Sequence, residues 1–489
     1  MVISKLKIIS QFIILILVLC VSEIFSQSDF VYIKGNEFFL KNSEFKFFGF
    51  NAYYLQSLTA AYPDRNIVDE VFNAADSIGV KVIRTWGFND SGSGSNPGVI
   101  RYAPYSYNEL GLKALDFIVA KADEYNIKLI LTLTNNFPDY GGIPQYVKWA
   151  NKYLKKSNGK NFDHNDFFTN DSIKSWYKSY IFKILNRTNT YSKIKYKNDP
   201  AIFSFELVNE ANNPGKNSNI ILAWYKEMSS YFKSIDNNHL LTTGEMGYDI
   251  SNNNYSNTEL FYNSEKFLFD GSKGTSFTKN SELKDIDYTS FHLYSGAWDI
   301  SYPAGRTWIK DHLRISDFLN KPGLLGEFAV SKDKVNIYSD WLNVIQEADG
   351  SKSALVWQYL HPSVKNYDTY GFNLKDSSLI NLFKNFIEII NQKRIKQNIL
   401  DKVTLYQNYP NPFNPVTTIR FSLPDDGFIE MDLYSSIGEK IGTLIKRFLH
   451  KGEHEITLSF NSRNYASGVY IYVLKTSHGY FSKKLILLK

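Results

Sequence analysis

The sequence predicts an α/β protein, a (β/α)8 barrel of the TIM type followed by a small antiparallel β-sandwich. Three observations carry that prediction. Eight short, strongly apolar runs recur between residues 30 and 395. Longer segments of helical periodicity separate most of them, the pattern of a parallel sheet covered on both faces. Beyond residue 395 the chain changes to Pro- and Asn-rich turns and short alternating runs, spaced as in a small sandwich.

Taken in order, the first residues read as an export signal. Lys5 and Lys7 precede the run "FIILILVLCV", which is short for a membrane span, and Ser26 offers a small residue for cleavage. Residues 1–26 are therefore expected to be a signal peptide. The rival reading, a lipid on Cys20, is opposed by the bulky Leu19 before it. Cys20 is the one cysteine, so the processed chain is expected to hold no disulfide and no thiolate metal site. The histidines lack HExxH-like spacing, and neither a metal nor a cofactor is called for. The formal charge of +6 is spread along the chain without a basic stripe, which argues against a nucleic-acid partner. The 16% aromatic content suits sugar stacking and ordinary cores alike.

The eight apolar runs are "FKFFGFNA", "VKVIRTWGF", "IKLILTLTNN", "AIFSFELVNE", "HLLTTGEMG", "IDYTSFHLY", "PGLLGEFAV" and "SALVWQYL". Between them, Ile67, Val71, Ala74, Ala75 and Ile78 share one helical face, as do Leu112, Leu115, Ile118 and Val119. "WYKSYIFKILNRT" and "LAWYKEMSSYFKSI" serve the same purpose further on. Eight repeats favour a closed barrel over an open sheet. The domain boundaries expected are 29–395 for the barrel, 396–404 for a linker and 405–489 for the sandwich.

Barrel chemistry sits where the strands end. At those ends stand Arg84 and Trp86, Asn135 and Asn136, Asn209 and Glu210, Glu245, His292 and Tyr294, Glu327, and Trp357. Retaining glycoside cleavage needs two carboxyl groups about 5–5.5 Å apart, one a nucleophile and the other an acid and then a base. Strands four and seven face each other across an eight-stranded mouth, and Glu210 and Glu327 end them. Arg84 and Tyr294 are placed to hold an ionised nucleophile, Asn209 to bind a sugar 2-hydroxyl, and Trp357 to floor the reacting ring. Singly, each has an ordinary alternative: a solvated strand-end charge, a structural ion pair, a satisfied core histidine or tryptophan. Their joint placement on one mouth favours catalysis.

Residues 30–392 resemble glycoside hydrolase family 5, in particular its fungal and plant-type endo-β-1,4-mannanases. The stretches that carry the resemblance include "RTWGFND", "TNNFPDYGGIPQYVKWA", "KNDPAIFSFELVNE", "FHLYSGAW", "LLGEFAV" and "LVWQY". It implies that Glu210 is the acid/base and Glu327 the nucleophile, supported by Arg84, Asn209, His292 and Tyr294. It further implies that Trp86, Asn135, Glu245, Trp298 and Trp357 contribute to the sugar-binding cleft. The chain departs from the family at Ala211, where proline is common after the acid, at Asn212-Asn213, at Phe137 and at Gly326. The tail, "QNYPNPFNPVTTIRFSLP" to "KKLILLK", resembles the type A sorting domain of type IX secretion. Its implied partner is the bacterial outer-membrane secretion machinery, and the implied location is extracellular or at the cell surface. Expected, then, is a monomeric, cofactor-free enzyme acting on β-mannan. The alternatives are a β-1,4-glucanase, a transglycosylase and a non-catalytic polysaccharide-binding protein.

Overall fold

The computed structural model describes residues 29–61, 65–250, 266–366, 368–392, 403–460 and 465–488. The expected signal peptide and most of the expected linker lie outside them. All eight apolar runs form strands: β1 (Phe47–Asn51), β2 (Val82–Trp86), β3 (Lys128–Thr132), β4 (Ile202–Glu206), β5 (Leu240–Thr242), β6 (Thr289–Leu293), β7 (Gly323–Phe328) and β8 (Ser353–Val356). They pair in parallel in the order β5-β4-β3-β2-β1-β8-β7-β6. The seam between β5 and β6 is bridged by Asp287 N–H donating to Leu241 O at 2.8 Å and His292 N–H donating to Met246 O at 3.2 Å. Apart from the first residue of β3, every strand residue is buried, because helices cover the outside and side chains fill the inside.

A helix follows each strand: α1 (Asn66–Ile78), α2 (Glu109–Glu124), α3 (Asp171–Leu185), α4 (Asn219–Lys233), the short α5 (Phe277–Ser281), α6 (Tyr302–Phe318), α7 (Lys334–Glu347) and α8 (Ser377–Asn391). Their starts are fixed by short polar side chains that take up free backbone N–H groups. Asn108 accepts from Leu110 at α2, Asn170 from Ser172 and Ile173 at α3, and Ser301 from Ala304 at α6. Among the described residues, no helix is long and apolar enough to cross a membrane.

The bottom of the barrel is sealed by a feature that the alternating pattern did not announce. Residues Tyr32–Lys34, Glu37–Leu40 and Ser43–Glu44 form a three-stranded antiparallel sheet. Its Phe38 packs edge-on against Phe203 and Tyr288, with ring centroids at 5.1 and 5.2 Å. Around that plug lie Phe47, Val82, Ile130, Phe203, Leu240, Leu324 and Leu355, one from each of seven strands, with Tyr288 entering just before β6. With the floor apolar and closed, the open end is the C-terminal mouth.

The tail builds a second apolar core from two antiparallel sheets. Its long strands are β9 (Val416–Leu423), β10 (Gly427–Ser435), β11 (Lys440–Leu449), β12 (Gly452–Ser459), β13 (Gly468–Thr476) and β14 (Gly479–Leu487). Four were expected as runs, whereas β9 was read as part of the Pro/Asn-rich stretch. β11 escaped notice because it has no fully buried residue and so no clean alternation. This unit rests on α6: the Phe318 and Phe428 rings lie 5.6 Å apart, Arg314 covers Phe448 at 3.3 Å, and Lys310 pairs with Asp426 at 2.8 Å.

Candidate active site

β4 ends at Glu206, but the chain stays extended for three more residues. Leu207 and Val208 donate to Thr242 and Thr243, and Asn209 N–H donates to Thr134 O. At Glu210 the backbone turns into the left-handed region, φ 57°, with its N–H on Gly244 O at 2.7 Å. That turn aims the carboxyl over the mouth instead of along the strand. Opposite, Glu327 sits on β7 beside a bulge: Phe291 pairs with Leu325 but His292 with Glu327, so Gly326 is the extra residue.

The two carboxyl groups meet around His292. One ligand atom each from Glu210, His292 and Glu327 lies within 4.8 Å of the others. His292 Nδ1 is 2.7 Å from Glu210 Oε1 and 3.6 Å from Glu327 Oε2. Such a donor set is of a kind that binds cations. Here, though, Arg84 already brings positive charge to Glu327, with Nη1 donating to Oε1 at 2.5 Å. The rest of the guanidinium is committed too: Nε donates to Glu206 at 2.7 Å, Nη1 to Asn51 at 3.0 Å and Nη2 to Asn209 Oδ1 at 2.7 Å. Tyr294 donates its hydroxyl to Glu327 Oε2.

The two glutamates are thus held unequally. Burial pushes the Glu210 carboxyl up to about 8, and the charge on Glu206 adds to this against the pull of Arg84. Burial raises Glu327 as well, but the Arg84 charge opposes it, and Tyr294 donates directly to its carboxylate. Burial pulls the His292 imidazole down to about 4, so it is neutral near pH 7. A neutral imidazole beside Glu210 can accept that carboxyl's proton in a hydrogen bond. One carboxyl that keeps its proton and one that is braced as an anion form the pair that acid-assisted displacement requires.

Above them lies a cleft of about 290 Å³ lined by Glu210, Glu327, Trp86, Asn135, Asn209, Tyr294, Trp298 and Trp357. Eight of the eleven sequence-predicted residues line it, while Arg84 and His292 lie fully buried beneath. Trp357 stacks on Tyr53 at 5.3 Å and an interplanar angle of 8°, and its Nε1 donates to Asp368 at 3.0 Å. Phe137, 37% exposed, offers an accessible ring face at the rim.

Glu245 corrects the expectation that it lines the sugar cleft. It is fully buried, and its Oε1 accepts from Asn280 of α5 at 2.6 Å. β5 stops at Thr242, and Gly244 at φ 80° turns the chain before Glu245, so a strand-end position does not mean a mouth-facing side chain here. The sequence reading also missed Asn51 and Glu206, which hold Arg84, and Tyr53, Asp139, Tyr140, Met246, Asp368 and Tyr370, which line the cleft. A charge inside the apolar run "FSFELV" was the available signal for Glu206. Asp368 and Tyr370 lie on a loop without periodicity, which offered none.

Comparison with known proteins agrees with this geometry. Residues 28–348 match the family described as "GH family 5 beta-mannosidase-like", and residues 407–488 match the secretion system C-terminal sorting domain. The chain is 34% identical to mannan endo-1,4-beta-mannosidase 4 of Solanum lycopersicum, over 70% of this chain and 86% of that one. It is 33% identical to mannan endo-1,4-beta-mannosidase 7 of Arabidopsis thaliana, over 76% and 86%. The solved endo-1,4-beta-mannanase of Rhizomucor miehei superposes with a TM-score of 0.65 at 31% identity, covering 74% of this chain and 100% of that one. The chain therefore belongs to glycoside hydrolase family 5, among its β-mannosidase-like members, and carries a secretion-system sorting domain at its C-terminal end.

Proposed function

We propose that this protein is an exported, retaining endo-β-1,4-mannanase. The observation that carries the reading is the pair Glu210 and Glu327, which reach from β4 and β7 to within 4.8 Å of each other in unequal surroundings. That spacing leaves no room for a water between carboxyl and sugar, as inversion would need, and suits direct attack. Glu327 attacks the anomeric carbon while Glu210 gives its proton to the departing glycosidic oxygen. Glu210, now a base, takes a proton from the water that attacks the same carbon and frees Glu327. Arg84 and Tyr294 steady Glu327 as an anion before attack and after release. Asn209 keeps one amide hydrogen for a sugar 2-hydroxyl, since its oxygen serves Arg84 and its nitrogen also donates to Asn135 at 3.1 Å. Trp357 forms the floor, with Trp86, Trp298 and Asn135 along the cleft. Past Glu210, Asn136 accepts from Asn212 N–H at 3.3 Å, which orders the segment where the leaving sugars would lie.

Mannan as substrate is supported by the names of the relatives, because mannose and glucose differ only at the 2-hydroxyl and the carboxyl pair serves both. The full chain should release reducing ends, as a ladder of oligosaccharides, from linear mannan and far less from carboxymethyl-cellulose. Glu327→Ala and Glu210→Ala should each lose at least about a thousandfold in kcat on polymer. On an aryl β-mannoside whose phenolate leaves without protonation, azide should restore turnover in both, giving an α-azide with the first and a β-azide with the second. The same anomer from both variants would refute the assignment, and cleavage mainly of the cellulose derivative would make the enzyme a glucanase.

The sorting domain supports export across a bacterial outer membrane by the type IX route, with 1–26 as signal peptide, 29–395 as catalytic unit and 405–489 as address. Deleting residues 405–489 should leave activity inside the producing cells; activity still appearing outside would contradict it.

A further inference from the structure

A third carboxylate is buried in the same cluster, and the two displacement steps do not use it. Glu206 lies four residues before Glu210 on β4, with no exposure. Its Oε2 accepts from Arg84 Nε and from Thr132 Oγ1, both at 2.7 Å. Its Oε1 has no partner among the described residues. Burying an acid is costly unless it is paired and fully hydrogen-bonded, and here only one of the two Glu206 oxygens is.

Resting on the mannanase reading above, we infer that Glu206 is a positioning residue that decides which of the two reacting glutamates keeps its proton. The argument is a charge count on fixed geometry. One guanidinium, Arg84, faces Glu206, Glu210 and Glu327, and its Nε and Nη1 hydrogens go to Glu206 and Glu327. With all three acids ionised and His292 neutral, the cluster would carry two uncompensated negative charges in a dry site, so a proton stays bound. Glu206 holds two strong donors, Arg84 and Thr132. Glu327 also holds two, Arg84 and Tyr294. Glu210 receives no arginine hydrogen, and among the described residues its carboxyl has one side-chain hydrogen-bond partner, the His292 ring nitrogen at 2.7 Å. The proton therefore settles on Glu210, the group that must deliver it. Were Glu206 uncharged, Arg84 would have charge to spare for both reacting acids, and Glu210 would give its proton up at lower pH.

The groups that face Glu210 are few: Arg84 from β2, Glu206 from its own strand, Tyr248 after β5, His292 and Tyr294 from the end of β6, and Glu327 from β7. Of these, Glu206 alone is a carboxyl group held by Arg84 that takes no part in bond making. Burial and the Glu206 charge together agree with the direction in which Glu210 is displaced.

The test is the pH dependence of kcat/KM of the full chain on a mannan oligosaccharide. Glu206→Gln should move the basic limb down by about one pH unit, with kcat at acid pH reduced less than at pH 7. Thr132→Val, which removes a donor to Glu206 but not the charge, should leave the limb in place even if kcat falls. A folded Glu206→Gln enzyme whose basic limb stays where the wild type has it would overturn the inference. Should Glu206→Gln not fold, Glu206→Asp decides: it keeps the charge, so a limb unmoved supports the inference and a limb lowered by a unit contradicts it. The mannanase reading fails differently, through a wild-type chain inert on mannan or a Glu210→Gln variant as active as wild type.

Discussion

Glu210 shows how much of this site is decided in one residue. Its left-handed backbone at φ 57° is a conformation in which a side chain is strained and glycine is not. Two truncations should therefore differ: Glu210→Gly is expected to be more stable than Glu210→Ala by about 1 kcal/mol, measured by denaturant melts of the two variants. Equal stabilities would mean that the surrounding loop relaxes and the turn stores nothing. Glu210 also links acidity to folding. Glu210 and Glu245 are both pushed up to about 8 by burial, from an ordinary 4.5. Folding holds protons there that the unfolded chain releases, so this part of the stability is whole below pH 4.5 and is lost as pH climbs through about 8. The melting temperature should fall by several degrees between pH 5 and 8.5, and Glu210→Gln and Glu245→Gln should each make that fall shallower. A decline as steep in both variants as in the wild type would place its cause elsewhere.

At the scale of the element, β7 carries the decisive irregularity. A Cβ on Gly326 would stand 2.7 Å from Ser290 Oγ and 3.2 Å from His292 Nε2. Glycine therefore lets β7 bulge against β6 and bring Glu327 level with His292. Gly326→Ala is expected to fold but to lose about ten- to a hundredfold in kcat, because displacement of a fraction of an ångström misaligns His292 and Glu327 together. Wild-type kcat in that variant would show that the bulge is only tolerated. A larger side chain has no room at this position in this chain, which gives the departure at Gly326 a steric reason. The eight strands and the helices α1 to α4 were legible because burial on both faces writes continuous apolar runs, and one-sided burial writes a helical period. The floor sheet was not legible: its strands are two to four residues long and half exposed, too short to show any period.

The whole molecule joins two cores through α6. Asn36 of the floor sheet donates to Asp317 at 2.8 Å, and the tail's Gly427 and Phe428 approach the same corner. The tail thus lies toward the closed floor, away from the mouth. A chain cut after residue 392 should keep kcat/KM on mannan oligosaccharide within about twofold of full length, since no described tail residue lines the cleft. Its melting temperature should drop a few degrees as Phe318 and Arg314 lose Phe428 and Phe448. A tenfold loss of kcat/KM at full folding would mean that the tail reaches the cleft after all.

By itself, the sequence determined the barrel, the tail and the placement of Glu210 and Glu327 at the mouth, because hydrophobic period and strand-end position are local properties that a linear chain displays. Only the tertiary structure decided that Glu206 and Asn51 hold Arg84, that Glu245 turns inward to Asn280, and that Asp368 fixes the Trp357 ring. These depend on which side chains meet across strands and loops far apart in the chain, and on which carboxyl is left without a donor. No period in the sequence records that.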